Sequence, residues 1–112
     1  MLFRSRLGLS AAKRLFLLAE TVPGAELLRL GYLDELVAAD ELDAAVERYA
    51  ASLLAGAPLA LQGMKQSLNE VARGDIVLAR LREREARCGA SADLREGLSA
   101  FADRRTPRFE GR

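Results

Sequence analysis

Apolar residues recur at helical spacing along almost the whole chain, and the breaks between the runs fall at proline, glycine and capping residues. The clearest run is Leu42, Val46, Tyr49, Ala50, Leu53 and Leu54, recurring every three or four positions, with Asp40 placed to cap it and Gly56 to stop it. Pro58 opens the next helix, with Leu61, Met64, Lys65, Leu68 and Val71 along one side and an end near Gly74. Asp75 is the expected cap of a helix running through Ile76, Leu78, Ala79 and Leu81 to about Cys88, and Gly89 breaks it. Near the start, Ser10 is placed to cap a helix over Ala11–Glu20, closed by Thr21-Val22-Pro23. Pro23 suits the first turn of a short second helix ending at Gly31, and Tyr32 to Val37 reads as a brief extended connector. The expected fold is all-α: five or six short helices in a single domain over residues 1–112, with residues 1–7 read as irregular.

The run Leu15-Phe16-Leu17-Leu18 points apolar groups around most of a helix circumference, and such a helix needs cover on several sides. With no strands to form a second layer, apolar faces outnumber the surfaces available to cover them. Association is therefore expected, as a trimer-like oligomer or as soluble aggregates. Met64 and Leu68 read as core, Cys88 as a small, partly buried hydrophobe, and Arg80 to Arg87 as a mostly solvated face with a Glu83–Arg87 pair.

Composition narrows the chemistry. Half of the 112 residues are apolar and 29% are charged, which is ordinary for a globular protein, and the formal charge of +1 recruits neither nucleic acid nor membrane. The charge is unevenly spread: eight acids lie between Glu20 and Glu47 against Arg29 alone, whereas the first nineteen residues hold Arg4, Arg6, Lys13 and Arg14 and no acid. Histidine is absent and Cys88 is the sole cysteine, so a zinc site and a Ser-His-Asp or Cys-His nucleophile are excluded, and no metal is expected. The single thiol makes a reducing, cytoplasmic location the default. A mitochondrial transit-peptide reading of residues 1–19 is the alternative to a structural helix there. No window approaches the ~18 apolar residues needed to cross a bilayer.

The tail, Ser91 to Phe109, is the most informative stretch. Ser91 can accept from free amides at a helix start, and Asp93 and Glu96 place negative charge in its first turns. Leu94, Leu98, Phe101 and Ala102 share one apolar face; Arg104, Arg105 and Arg108 gather at the far end, where Pro107 forbids continuation. Ser91, Asp93, Glu96, Gly97, Ala100, Phe101, Arg104, Arg105, Pro107 and Phe109 together resemble the C-terminal signature of the crotonase family, the enoyl-CoA hydratases and isomerases. The resemblance extends upstream through Pro58-x-Ala60 with Lys65, Gly31-Tyr32-Leu33, and Gly8 with Ala12. Gly24, Leu27 and Tyr32 depart from its usual residues around the glycine turn.

The resemblance implies the C-terminal helical part of that fold without its β-spiral core. Nothing matching the oxyanion-hole loops or the proton-moving acids precedes Gly8, so the resemblance assigns no catalytic residue here. It implies a coenzyme A thioester as the family's substrate, with no further cofactor, and trimer-type contacts with other copies or with the missing N-terminal half as the partner. It also places Phe101 and Arg104 near the adenine and phosphate end of CoA. The competing reading makes Phe101 core and the arginines complements of the helix dipole. Among carboxylates, Glu83/Glu85 read as solvated and Asp93/Glu96 as structural. The alternative function is a non-catalytic helical interaction module using Arg95, Arg104, Arg105, Arg108 and Arg112, although Glu96, Asp103 and Glu110 interleave with them.

Overall fold

The computed structural model describes residues 2–112, and among them every regular element is helical. In chain order these are α1 (Leu2–Leu17), α2 (Gly24–Arg29), a 3₁₀ turn (Ala39–Glu41), α3 (Leu42–Leu54), α4 (Pro58–Arg73), α5 (Leu78–Gly89) and α6 (Ala92–Ala102). The all-α expectation holds. No helix among the described residues is long and apolar enough to cross a membrane. The chain divides into two compact units, the first ending at Ala45 and the second running from Val46 to Arg112.

In the first unit, residues 2–7 are helical and not irregular, because nothing before Gly8 interrupts helix formation. Gly8 itself has φ 75° and ψ 167°, a region open essentially only to glycine, and breaks α1 into two helical stretches. The expected extent of the second stretch needs correction. The helix stops at Leu17, short of Glu20, and Ala19 turns left-handed (φ 49°). Arg14 then reaches past the helix end to Glu20, donating through Nε at 3.1 Å and Nη2 at 2.7 Å. Pro23 stands at the N-cap of α2, just outside the helix. Arg6 donates through Nη1 to the Tyr32 carbonyl at 3.0 Å and to Asp34 at 3.3 Å, tying the connector after α2 back to α1. Leu7, Leu15, Val22, Leu27 and Tyr32 surround a small apolar cavity of about 140 Å³. Phe16, Leu17 and Leu18 remain exposed, as expected for a helix apolar on all sides with few neighbours.

Two expected caps are displaced. Asp40 lies inside the 3₁₀ turn preceding α3, where its charge still favours a helix start, and is not the cap. Asp75 precedes α5 by three residues and accepts from Arg73 Nε at 3.0 Å; Val77 stands at the N-cap. The other punctuation behaves as read: Pro58 occupies the first turn of α4, and Gly74 ends it in the left-handed conformation (φ 73°).

The second unit packs α5 against α4 and α6 against α5. Arg84 is the exception to the solvated face of α5. Its guanidinium forks onto Glu70 of α4 at 3.0 and 2.6 Å and reaches Ser67 Oγ at 3.2 Å, with Arg84 and Glu70 side chains only 16% and 12% exposed. The Arg84 fork holds the Glu70 carboxyl below the usual range, against the opposing effect of burial. The expected Glu83–Arg87 pair is not formed; Arg84 has taken the role of organising the helix. Among the described residues the buried apolar side chains are Leu7, Ala12, Ala45 and Ala100, while the α3 face of Leu42, Val46, Tyr49, Leu53 and Leu54 is exposed. Met64 and Leu68 are likewise exposed, a correction to their reading as core.

Gly74 offers a clean test of the α4 terminus, because a Cβ added there meets nothing within 4 Å and only the backbone conformation is at stake. Gly74→Ala should destabilise by about 1 kcal/mol, read as a lowered melting midpoint in a circular dichroism scan.

Candidate functional site

The tail is built around two carboxylates of α6. Ser91 caps the helix as expected: its Oγ accepts from the Leu94 amide at 3.0 Å and donates to the Cys88 carbonyl at 2.7 Å, joining the end of α5 to the start of α6. Asp93 is 3% exposed, and its two oxygens accept from the amides of Glu110 (2.7 Å) and Gly111 (2.9 Å). In return, the first amides of α6, those of Ala92 and Asp93, donate to the Arg112 carbonyl at 2.7 and 3.2 Å. The chain after α6 therefore doubles back along the helix, satisfying donors that a helix start leaves free.

Glu96 holds the next segment. Arg105 donates to it through both terminal nitrogens (2.6 and 2.9 Å) and the Arg108 amide donates at 2.8 Å. The Arg105 hydrogen bonds, followed by the one from the Arg108 amide, push the Glu96 carboxyl down to about 2. Phe109 then lies over Gly97, where an added Cβ would come 3.5 Å from the ring. Both carboxylates thus accept structural hydrogen bonds through each of their oxygens, and Glu83 and Glu85 are exposed on α5.

Phe101 and Arg104 occupy the opposite, outward part of this terminus. Phe101, in the last turn of α6, is 86% exposed, so within this chain it is not core. Leu94 and Leu98 on the same helix are also exposed, which leaves the apolar face of α6 uncovered. Arg104, just beyond the C-cap Asp103, has φ 52°, its amide donating to the Phe101 carbonyl at 3.3 Å, and among the described residues its side chain has no ion-pair partner. By contrast Arg105 is bound to Glu96, and Arg112 to Glu110 at 2.6 Å. Of the tail's five arginines, Arg105 and Arg112 are therefore internally matched, while Arg95, Arg104 and Arg108 have no ion-pair partner among the described residues.

The sequence reading did not anticipate the return of residues 108–112 onto the start of α6. The signal was present in Pro107 and Gly111, the latter with φ 77°, which turn the chain so that adjacent amides face one carboxylate. A further apolar hollow of about 390 Å³ lies between α4 and α5, lined by Met64, Leu68, Leu81 and Cys88 among others. Cys88 is half-buried.

Because Glu96 has its carboxyl lowered by folding, its contribution is complete above its unfolded value, near 4.5, and is lost as pH falls toward about 2. The Arg108 amide resonance should accordingly shift over that window in NMR spectra, and in Glu96→Gln the shift should vanish.

The whole chain, residues 1–112, matches the family model described as enoyl-CoA hydratase/isomerase. The short-chain-enoyl-CoA hydratase of Clostridium acetobutylicum is 32% identical over 100 residues, covering 88% of this chain and 38% of that protein. The crotonyl-CoA hydratase of Syntrophomonas wolfei is 32% identical over 104 residues, covering 91% of this chain and 40% of its own length. A crystal structure of a probable enoyl-CoA hydratase/isomerase from Mycobacterium abscessus superimposes with a TM-score of 0.88 at 27% identity, over 98% of this chain and 44% of that one. The chain spans about two-fifths of the length of the curated relatives it matches, and the likeness runs through nearly all of its own. It belongs to the enoyl-CoA hydratase/isomerase family.

Proposed function

We propose that this chain is the C-terminal helical part of an acyl-CoA hydratase or isomerase, supplying oligomer contacts and a grip on the adenine and phosphate end of coenzyme A. The amides that stabilise a thioester enolate and the carboxylates that move protons at the α and β carbons then come from outside these residues. By itself the chain is inactive.

The observation that carries this reading is the last turn of α6, where the uncovered ring of Phe101 precedes Arg104, a cation with no ion pair among the described residues. An aromatic face lines an adenine pocket well, and a guanidinium binds phosphate in bidentate fashion. The engagement of Asp93 and Glu96 in tail hydrogen bonds supports the absence of a proton-moving acid from this terminus, since each carboxylate already holds the returning chain in place. The exposed apolar faces of α3 and α6 support assembly with another copy or with the remaining part of the fold. The relatives' activities, hydration of short-chain enoyl-CoA and of crotonyl-CoA, support a short acyl thioester as the substrate class.

Incubation with crotonyl-CoA, followed by loss of the enoyl absorbance, should show no hydration above the buffer rate. Turnover near an ordinary enzymatic value of about 10 per second would overturn the inactive assignment. Coenzyme A titrated into the labelled chain should move the Phe101 and Arg104 resonances. Phe101→Ala and Arg104→Ala should each weaken that binding about tenfold, equivalent to ~1.4 kcal/mol. Affinity unchanged in both variants would remove these two residues from the site.

A further inference from the structure

Residues 105–112 touch the rest of the second unit all along their length, beginning with Arg105, whose amide donates to the Ala100 carbonyl at 3.0 Å and whose Nη2 reaches Ser99 Oγ at 3.2 Å. Arg105 and the Arg108 amide meet Glu96; Phe109 lies over Gly97; the Glu110 and Gly111 amides meet Asp93; and the Arg112 carbonyl meets the Ala92 and Asp93 amides. Gly111 also approaches the first turn of α4, where an added Cβ would stand 3.6 Å from the Pro58 ring. Phe109 is also one wall of an open apolar hollow of about 270 Å³, whose other walls include Ala57, Leu59, Ala60, Cys88, Leu94 and Leu98. The segment thus bridges α4 and α6 across the end of α5. At its root stands Arg104, a non-glycine residue held at φ 52°, where the chain turns from α6 into the return run.

We propose that residues 105–112 form a strap hinged at Arg104, latched by Asp93 and Glu96, which opens and closes as one unit at the edge of the apolar hollow between α4, α5 and α6. Unity follows from the spacing. The anchors lie on eight consecutive residues, so each one, once made, holds the others at high effective concentration, and losing one loosens all. Locality follows from the remaining contacts. With the strap open, α4 and α5 keep their packing and the Glu70–Arg84 fork, and α6 keeps its Ser91 tie to the Cys88 carbonyl. Such sub-global opening belongs to the segments with the fewest buried contacts. It takes the Phe109 wall away from the hollow that Cys88 also lines. The inference stands independently of what the chain binds.

Hydrogen exchange of the full chain at neutral pH tests it through two variants. Glu96→Gln removes the charge that holds Arg105. The amides of Glu110 and Gly111, neither of which bonds to Glu96, should lose about tenfold in protection together with that of Arg108, while Leu68 in α4 and Ala86 in α5 keep theirs. Phe109→Ala leaves every donor and acceptor in place and should loosen the same amides together. Loss confined to Arg108 in the first variant, no loss in the second, or loss spreading into α4 and α5 would each overturn the proposal.

Discussion

A carboxylate taken out of water must find donors or give up its charge. Asp93 finds them in two successive backbone amides of the chain that follows its own helix. That requirement organises the second unit. Satisfying it demands a return of the chain within a few residues of the end of α6, which Pro107 and Gly111 provide. The return brings Phe109 over Gly97 and the Arg105 guanidinium onto Glu96, and it occupies the α6 start with the Arg112 carbonyl. The string at this terminus is therefore first a folding device, its two acids Asp93 and Glu96 holding the returning chain.

The helices beneath that device expose more apolar surface than they hide. Alanines and Leu7 supply the buried apolar side chains among the described residues, and the larger ones on α1, α3 and α6 face outward. Leu42, Val46, Leu53, Leu54, Leu98 and Phe101 are each more than half exposed. The internal polar ties, Arg84 with Glu70 and Arg105 with Glu96, act between elements and give direction to packing that hydrophobic burial alone leaves loose.

Much of this was legible in the sequence. The helical periods, the Pro58 start, the Gly74 stop and the Ser91 cap were readable because each rests on local chemistry. Asp40 and Asp75 misled for the same reason: a capping residue near a helix start is a local preference, and the chain around it chose Val77 for one helix and a 3₁₀ turn for the other. Arg84 was hidden among the four arginines of α5, with nothing in the spacing to say which one meets Glu70 fourteen positions earlier. Phe101 and Phe109 look alike in the string, yet one ring faces out and the other packs on Gly97 and lines a hollow. Only the three-dimensional return of the tail distinguishes them.

The sparse interior also shapes how these helices respond to heat and denaturant. Unfolding a chain whose large apolar groups are already wet hydrates little additional surface, so the heat-capacity increment and the denaturant dependence are both small. The free-energy curve is then broad and low instead of sharply domed. Cooling weakens such a molecule little, warming melts it gradually, and a surface that covers α3 and α6 steepens the whole transition.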